Sequence, residues 1–420
     1  MIEIEQYSLA NGLRVCLNHD ASAPLVAVNL WYHVGSKDEV PGRTGFAHLF
    51  EHMLFSGSEH VGNNEHFRYV QSVGGVLNGT TFFDRTNYYE TLPSNYLSLA
   101  LWLESDRMGF FLPALTREKL DIQKQVVQEE RRLRYDNAPY GTWFEELLRL
   151  AYPENYPYHW PTIGSMADIE AATLDDVTRF FERWYQPQNA VLTLVGDFDQ
   201  GEAHDMIETY FGEIPGGDEP PSFGAEREAV APDRRTTIRS AVQLPRLFRL
   251  YHLPPTGERV WFSGDLLSGI LAGGKSSRLE RTLVYERKLA QDVSMFVLPT
   301  EATGMLILSS TARPGVPLRD LESAIDGVIE ETFGSGPTDD EILRVRNQTE
   351  ADHAHQIEQY ESRADLIGMF RTFFGDATLI NGWLENYAEA APEELREDAI
   401  RIFAPENRVT VEFLPEASDE

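Results

Sequence analysis

One pattern occurs twice in this chain, and it constrains the fold more than any other feature. Residues 46–57, FAHLFEHMLFSG, align with residues 263–274, SGDLLSGILAGG, at an offset of 217 set by Ala47 and Gly264. Leu49 then meets Leu266, Phe50 meets Leu267, Leu54 meets Leu271 and Gly57 meets Gly274. Far downstream, QPQNAVLTLVGD (186–197) aligns with APENRVTVEFLP (404–415), where Pro187 meets Pro405 and Asn189 meets Asn407 at an offset of 218. Two matches at nearly one offset imply a duplicated domain of about 200 residues per copy. A length of 420 residues agrees with two such domains.

The boundary is expected in GEIPGGDEPPSFGAEREAVAPDRR (212–235), which is rich in Pro, Gly and charge. The expected organisation is a first domain over 1–213, a linker over 214–235 and a second domain over 236–420. VAVNLWYHVG (26–35) and AVLTLVGDF (190–198) read as strands from their alternation and β-branched content. Residues 96–111, 116–136 and 174–185 read as helices. Strands and helices come in uneven clusters, which predicts an α+β fold, each half a mainly antiparallel sheet packed with helices.

Charge removes several function classes. The chain has 67 acidic and 36 basic residues and a formal net charge of −31. Such a surface repels phosphate backbones and anionic lipid, so no nucleic-acid partner is expected. No apolar run approaches the roughly 20 residues that span a bilayer. The start, MIEIEQYSLANG, has neither a basic nor an apolar signal region. The default expectation is the cytoplasm, with the periplasm open to a chain trimmed of its signal. The single cysteine, Cys16, sits in the strand-like run LRVCL and reads as a small buried residue. It excludes an internal disulfide and a cysteine-built metal site.

The chemistry concentrates in the first copy. His48, Glu51 and His52 form an H-x-x-E-H arrangement. On a helix, residues four apart lie about 40° apart and one turn apart, so the two imidazoles can share one metal ion. Glu51 stands beside them, where it can serve a metal-bound water without being a ligand. A hydrolytic zinc site takes three protein ligands and leaves one position open. Helix 116–136 offers the third. Ile122, Val126 and Leu133 suggest an apolar stripe with Glu129 in its middle, while Glu130 points about 100° away and is the weaker choice, in a supporting role. The second copy has Asp265, Ser268 and Gly269 at the three polar positions, so the packing pattern persists there without the ligands.

These residues resemble the M16, or pitrilysin- and insulinase-like, metallopeptidase family. HLFEH is followed by 76 intervening residues and then Glu129 within VVQEERR. GGVLNGTTFFDRTNYYETLP (74–93) and GGKSSRLERTLVYERKLAQDVS (273–294) extend the likeness across both halves. The resemblance implies that His48, His52 and Glu129 bind one zinc ion and that Glu51 is the general base. It also implies that Asn78 lies on an edge strand where a peptide binds as an added strand. The length suggests half-sized members, in which two subunits enclose a chamber. Many members carry an Arg and a Tyr seven residues apart in the second domain. The matching positions here are Val284 and Gln291, which points to a heterodimer whose zinc-less subunit supplies the pair. The implied function is a zinc endopeptidase acting on unfolded peptides. The alternatives are a presequence-processing subunit and a non-catalytic assembly subunit.

Other motifs carry less. His353 and His355 would diverge by about 200° on a helix and make a poor metal pair. GDLLSGILAGGKSS lacks the spacing of a phosphate loop and reads as helix packing followed by a turn.

Overall fold

The computed structural model describes residues 1–218, 220, 234–388 and 390–416. Most of the expected linker at 214–235, and the end of the acidic tail, lie outside the described residues. The chain forms two compact units, each drawn from three stretches of sequence. Seven helices matter below: α1 (Phe46–Met53), α2 (Leu97–Gly109), α3 (Arg117–Arg131), α4 (Trp143–Ala151), α5 (Arg259–Ala272), α6 (Asp339–Glu358) and α7 (Tyr360–Phe373).

The first unit is built on a six-stranded sheet. Its strands are β1 (Glu5–Ser8), β2 (Arg14–His19), β3 (Leu25–Tyr32), β4 (Val76–Thr81), β5 (Thr86–Pro93) and β6 (Ala190–Gly196), in the order β1-β2-β6-β3-β5-β4. All neighbours are antiparallel except the parallel pair β2–β6. β6 is buried along its whole length and β3 along all but its first residue. That requires cover on both faces of the sheet. One cover is α7, which packs on β3 and β6. Gly368 makes this approach possible, since a Cβ there would come within 3.0 Å of the Trp31 ring. Asp365 of α7 accepts hydrogen bonds from Trp31 Nε1 (2.8 Å) and Asn87 Nδ2 (3.0 Å), which pair these buried donors across the interface. Cys16 is buried on β2, where burial pushes its thiol up to about 12 and leaves it inert.

The second unit repeats the plan. Its strands are β7 (Arg234–Ser240), β8 (Arg246–Leu253), β9 (Ala290–Leu298), β10 (Gly304–Ala312) and β11 (Arg408–Pro415), in the order β7-β11-β8-β10-β9. The parallel pair is now β7–β11, the counterpart of β2–β6. The α+β class and the duplication read from the sequence are both realised. One face carries α5 and its apolar residues Leu266, Leu267, Ile270 and Leu271. The other is covered by α4, whose Trp143 stacks on Phe248 with ring centroids 4.7 Å apart.

Candidate active site

The sequence of α1 divides it into two faces. Phe46, Leu49, Phe50 and Met53 recur at i, i+3, i+4 and i+7 and are buried. Phe50 stacks on Tyr185 with ring centroids 5.0 Å apart. His48, Glu51 and His52 fall on the remaining face, half-buried. The two imidazole rings stand nearly perpendicular with centroids 4.8 Å apart. Their Nε2 atoms converge on one carboxylate oxygen. That oxygen is Oε2 of Glu130, 3.6 Å from His48 and 3.3 Å from His52.

Sequence spacing pointed to Glu129, whereas the structure places Glu130 beside the two histidines. Leu120 and Val127 are the buried residues of α3. Glu130 follows Val127 by three residues and shares its side of the helix. Gln123, on the same side, donates from Nε2 to Ser56 Oγ at 3.0 Å and ties α3 to the segment after α1. Ile122 and Val126 are 45% and 41% exposed, and Leu133 is 70% exposed. The apparent apolar stripe is therefore the outward side, and Glu129 is exposed on it. A helix advances about 100° per residue, so a phase error of one residue exchanges the two glutamates.

Glu51 is held from the other direction. Thr81 Oγ1 of β4 donates to Glu51 Oε2 at 2.6 Å. Burial raises the carboxyl of Glu51, against the pull of this hydrogen bond and of the neighbouring His52. Two residues earlier, Gly79 allows α1 and β4 to lie close: a Cβ there would be 2.9 Å from the Phe55 ring and 3.2 Å from Glu51 Cγ. Asn78, one residue before Gly79, lies on the opposite face of β4. Its side chain is exposed, and its Oδ1 accepts from the Gly79 N–H at 2.9 Å. The structure therefore puts Asn78 on the edge strand but does not bring it to the histidines.

The start of α1 is anchored by a residue that the motif does not announce. Glu39 is buried, and its two carboxylate oxygens accept from the Gly45 and Ala47 backbone N–H groups, both at 2.8 Å. Trp160 Nε1 adds a third bond at 3.0 Å. The carboxylate, as acceptor, satisfies helix N-terminal N–H groups that otherwise lack partners. Burial pushes the Glu39 carboxyl up to about 8, against the pull of its three donors.

Residues 14–159 match the family model described as insulinase (peptidase family M16). Residues 171–349 match the one described as the peptidase M16 inactive domain. The chain belongs to the M16 peptidase family. It is 29% identical over 378 residues to the zinc protease PqqE of Helicobacter pylori, covering 88% of this chain and 83% of that one. An uncharacterised zinc protease of Streptomyces coelicolor is 25% identical over 404 residues, covering 94% and 86%. The crystal structure of a protease from Helicobacter pylori superposes with a TM-score of 0.94 at 27% identity, over 99% of this chain and 100% of that one. The first half of the periplasmic protease PqqL of Escherichia coli shares the fold, with a TM-score of 0.78 at 18% identity over 98% of this chain and 92% of that one. These relatives support a metallopeptidase.

The donor set of this M16 chain fits zinc. Two imidazole nitrogens and one carboxylate oxygen lie within 4.8 Å of one another, and they are the only group of three such side chains found among the described residues. A tetrahedral ion with bonds of about 2.0–2.1 Å holds its ligand atoms roughly 3.3–3.4 Å apart. The observed 3.3 and 3.6 Å from the two imidazole nitrogens to the Glu130 oxygen are close to that spacing. In the second unit, Val284 packs against the core, and Gln291 is exposed at the start of β9. No helix among the described residues is long and apolar enough to cross a membrane.

Proposed function

We propose that this chain is a zinc-dependent endopeptidase, with one zinc ion held by His48, His52 and Glu130 and with Glu51 as general base. The observation that carries this reading is the convergence of both imidazoles on Glu130, with Glu51 one residue before His52 on the same helix. When bound, zinc would supply a Lewis acid that polarises the scissile carbonyl and acidifies water. Glu51 takes a proton from the attacking water at its carboxylate and passes it to the leaving amine. The substrate is an unfolded peptide that adds to the edge strand β4, beside Asn78, because β4 ends the sheet order and its outer backbone groups face no further strand of that sheet. Val284 and Gln291 supply neither an Arg nor a Tyr. We therefore assign the working unit to a dimer, preferably with a zinc-less subunit of the same fold that brings that pair.

The test is hydrolysis of a quenched fluorescent peptide library by the zinc-loaded protein, beside its Glu51→Gln variant. The expected loss in the variant is roughly 10²–10⁴-fold, the usual share of a general base, with zinc content unchanged. Equal turnover by both proteins would remove Glu51 from this role. A wild-type chain that holds zinc but needs a second subunit for turnover supports the heterodimer.

A further inference from the structure

We infer that Thr81 is a positioning residue, whose hydroxyl fixes the carboxylate of Glu51 and couples it to the strand that receives the substrate. This rests on the proposed function and extends it to a residue outside the metal motif. Three observations carry it. The Thr81 hydroxyl donates to Glu51 Oε2 at 2.6 Å, a short charge-assisted bond, and it is the one hydrogen bond recorded for that carboxylate among the described residues. Thr81 lies on β4 at the open edge of the sheet and pairs with Thr86 of β5, so its backbone is set by the ladder. Gly79, on the same face of β4, lets α1 lie close there, since a Cβ would crowd the Phe55 ring at 2.9 Å and press on Glu51 Cγ at 3.2 Å. Strand and base are therefore held together at two successive inward positions of β4.

A carboxylate has two oxygens. With Oε2 engaged by Thr81, Oε1 is the one that remains to take a proton from the attacking water. The same strand would present its outer backbone groups to the peptide. A shift of β4 would therefore move the base and the scissile bond together, which preserves their mutual geometry. A near-attack arrangement is sensitive to errors of about 1 Å, which cost on the order of 10²-fold in rate.

The experiment compares Thr81→Val, which removes the hydroxyl at similar volume, with Thr81→Ser, which retains it. Both are zinc-loaded and assayed on the same quenched peptide library beside Glu51→Gln, with crystal structures of both Thr81 variants. The expected result for Thr81→Val is a roughly 10–100-fold fall in kcat, with KM and zinc content near wild type and the Glu51 carboxylate displaced. Thr81→Ser restores kcat and the carboxylate position. If Thr81→Val leaves the Glu51 carboxylate in place, or keeps wild-type kcat while Glu51→Gln is inactive, the positioning role is overturned and the proposed base stands. If Glu51→Gln itself retains turnover, the proposed base falls and this inference falls with it. If Thr81→Ser is as impaired as Thr81→Val, the role belongs to the methyl group's packing and the inference is overturned.

Discussion

Helices α1 and α5 are the same element in two copies, and among the described residues only α1 contributes to a cluster of side chains able to hold a metal. In the first unit, His52 faces Glu130 of α3 across a polar gap. In the second, Gly269 takes the place of His52, and Val345 of α6 fills the space. A Cβ on Gly269 would come within 2.6 Å of the Val345 side chain. Arg344 caps the end of α5, donating to the carbonyls of Gly273 (2.8 Å) and Gly269 (3.1 Å). Asp265, the counterpart of His48, accepts from the Tyr387 hydroxyl at 2.8 Å, and burial raises its carboxyl. Ser268, the counterpart of Glu51, turns back to the Asp265 carbonyl. One copy keeps polar groups that a metal can satisfy. The other closes the same helix contact with apolar packing and local hydrogen bonds. The comparison shows that the repeat specifies a scaffold, while three side chains and the phase of one neighbouring helix specify a site.

The comparison is broken most directly at the third ligand. Glu130→Gln should weaken zinc binding by more than about 100-fold, beyond the usual effect of losing a supporting residue, whereas Glu129→Gln should leave it near wild type. Competition with a chelator reads both, and the reverse order would restore the spacing-based assignment. A smaller effect is expected from acid. His252 is half-buried in the second unit, with its Nε2 shielded from solvent, and this desolvation, with Arg234 nearby, lowers it to about 4. Its folded value lies below its unfolded value, so the folded state binds fewer protons. Stability is full above about 6.5 and is lost as pH falls from there to about 4. The loss is on the order of 3 kcal/mol for a shift of this size. Chemical denaturation across this range, with His252→Asn alongside, checks it; parallel pH–stability curves for the two proteins would refute it. The smallest effect is a null one. Asp265→His, Ser268→Glu and Gly269→His introduced together should not create a second zinc site, because the Val345 side chain already fills the space where the residue 269 side chain would stand. Metal stoichiometry should stay at one per chain, and a second bound zinc would show that the motif alone suffices.

Much of the first unit was legible in advance. The strand read at 190–198 is β6, the strand read at 26–35 is β3, and the helix read at 174–185 begins at its Thr173 cap and runs to Trp184. The polar face of α1 was legible because its apolar residues leave only one face for His48, Glu51 and His52. Glu130 was not, because Ile122 and Val126 imitate a core stripe while α3 is held largely through polar anchors. Lys124 donates to the Glu170 carbonyl at 3.0 Å, and Arg131 to that of Gly164 at 3.1 Å. Polar anchors leave no periodicity to read. Thr81, Gly79 and Glu39 were missed for a related reason: Thr81 and Gly79 reach α1 across a long stretch of chain, Glu39 reaches it across a short loop, and none belongs to a repeating pattern.

The sequence by itself determined the duplication, the family and the two histidines with their glutamate, because these are written as local spacing. The tertiary structure alone decided which neighbours cover which surfaces. α4 and α7 stand at the repeat offset of 217, Trp143 matching Tyr360, yet each packs on the sheet formed mainly by the other half of the sequence. Periodicity shows that a helix has an apolar side. It carries no record of which sheet that side will meet, because burial rewards contact with either apolar surface and only the closed fold selects between them.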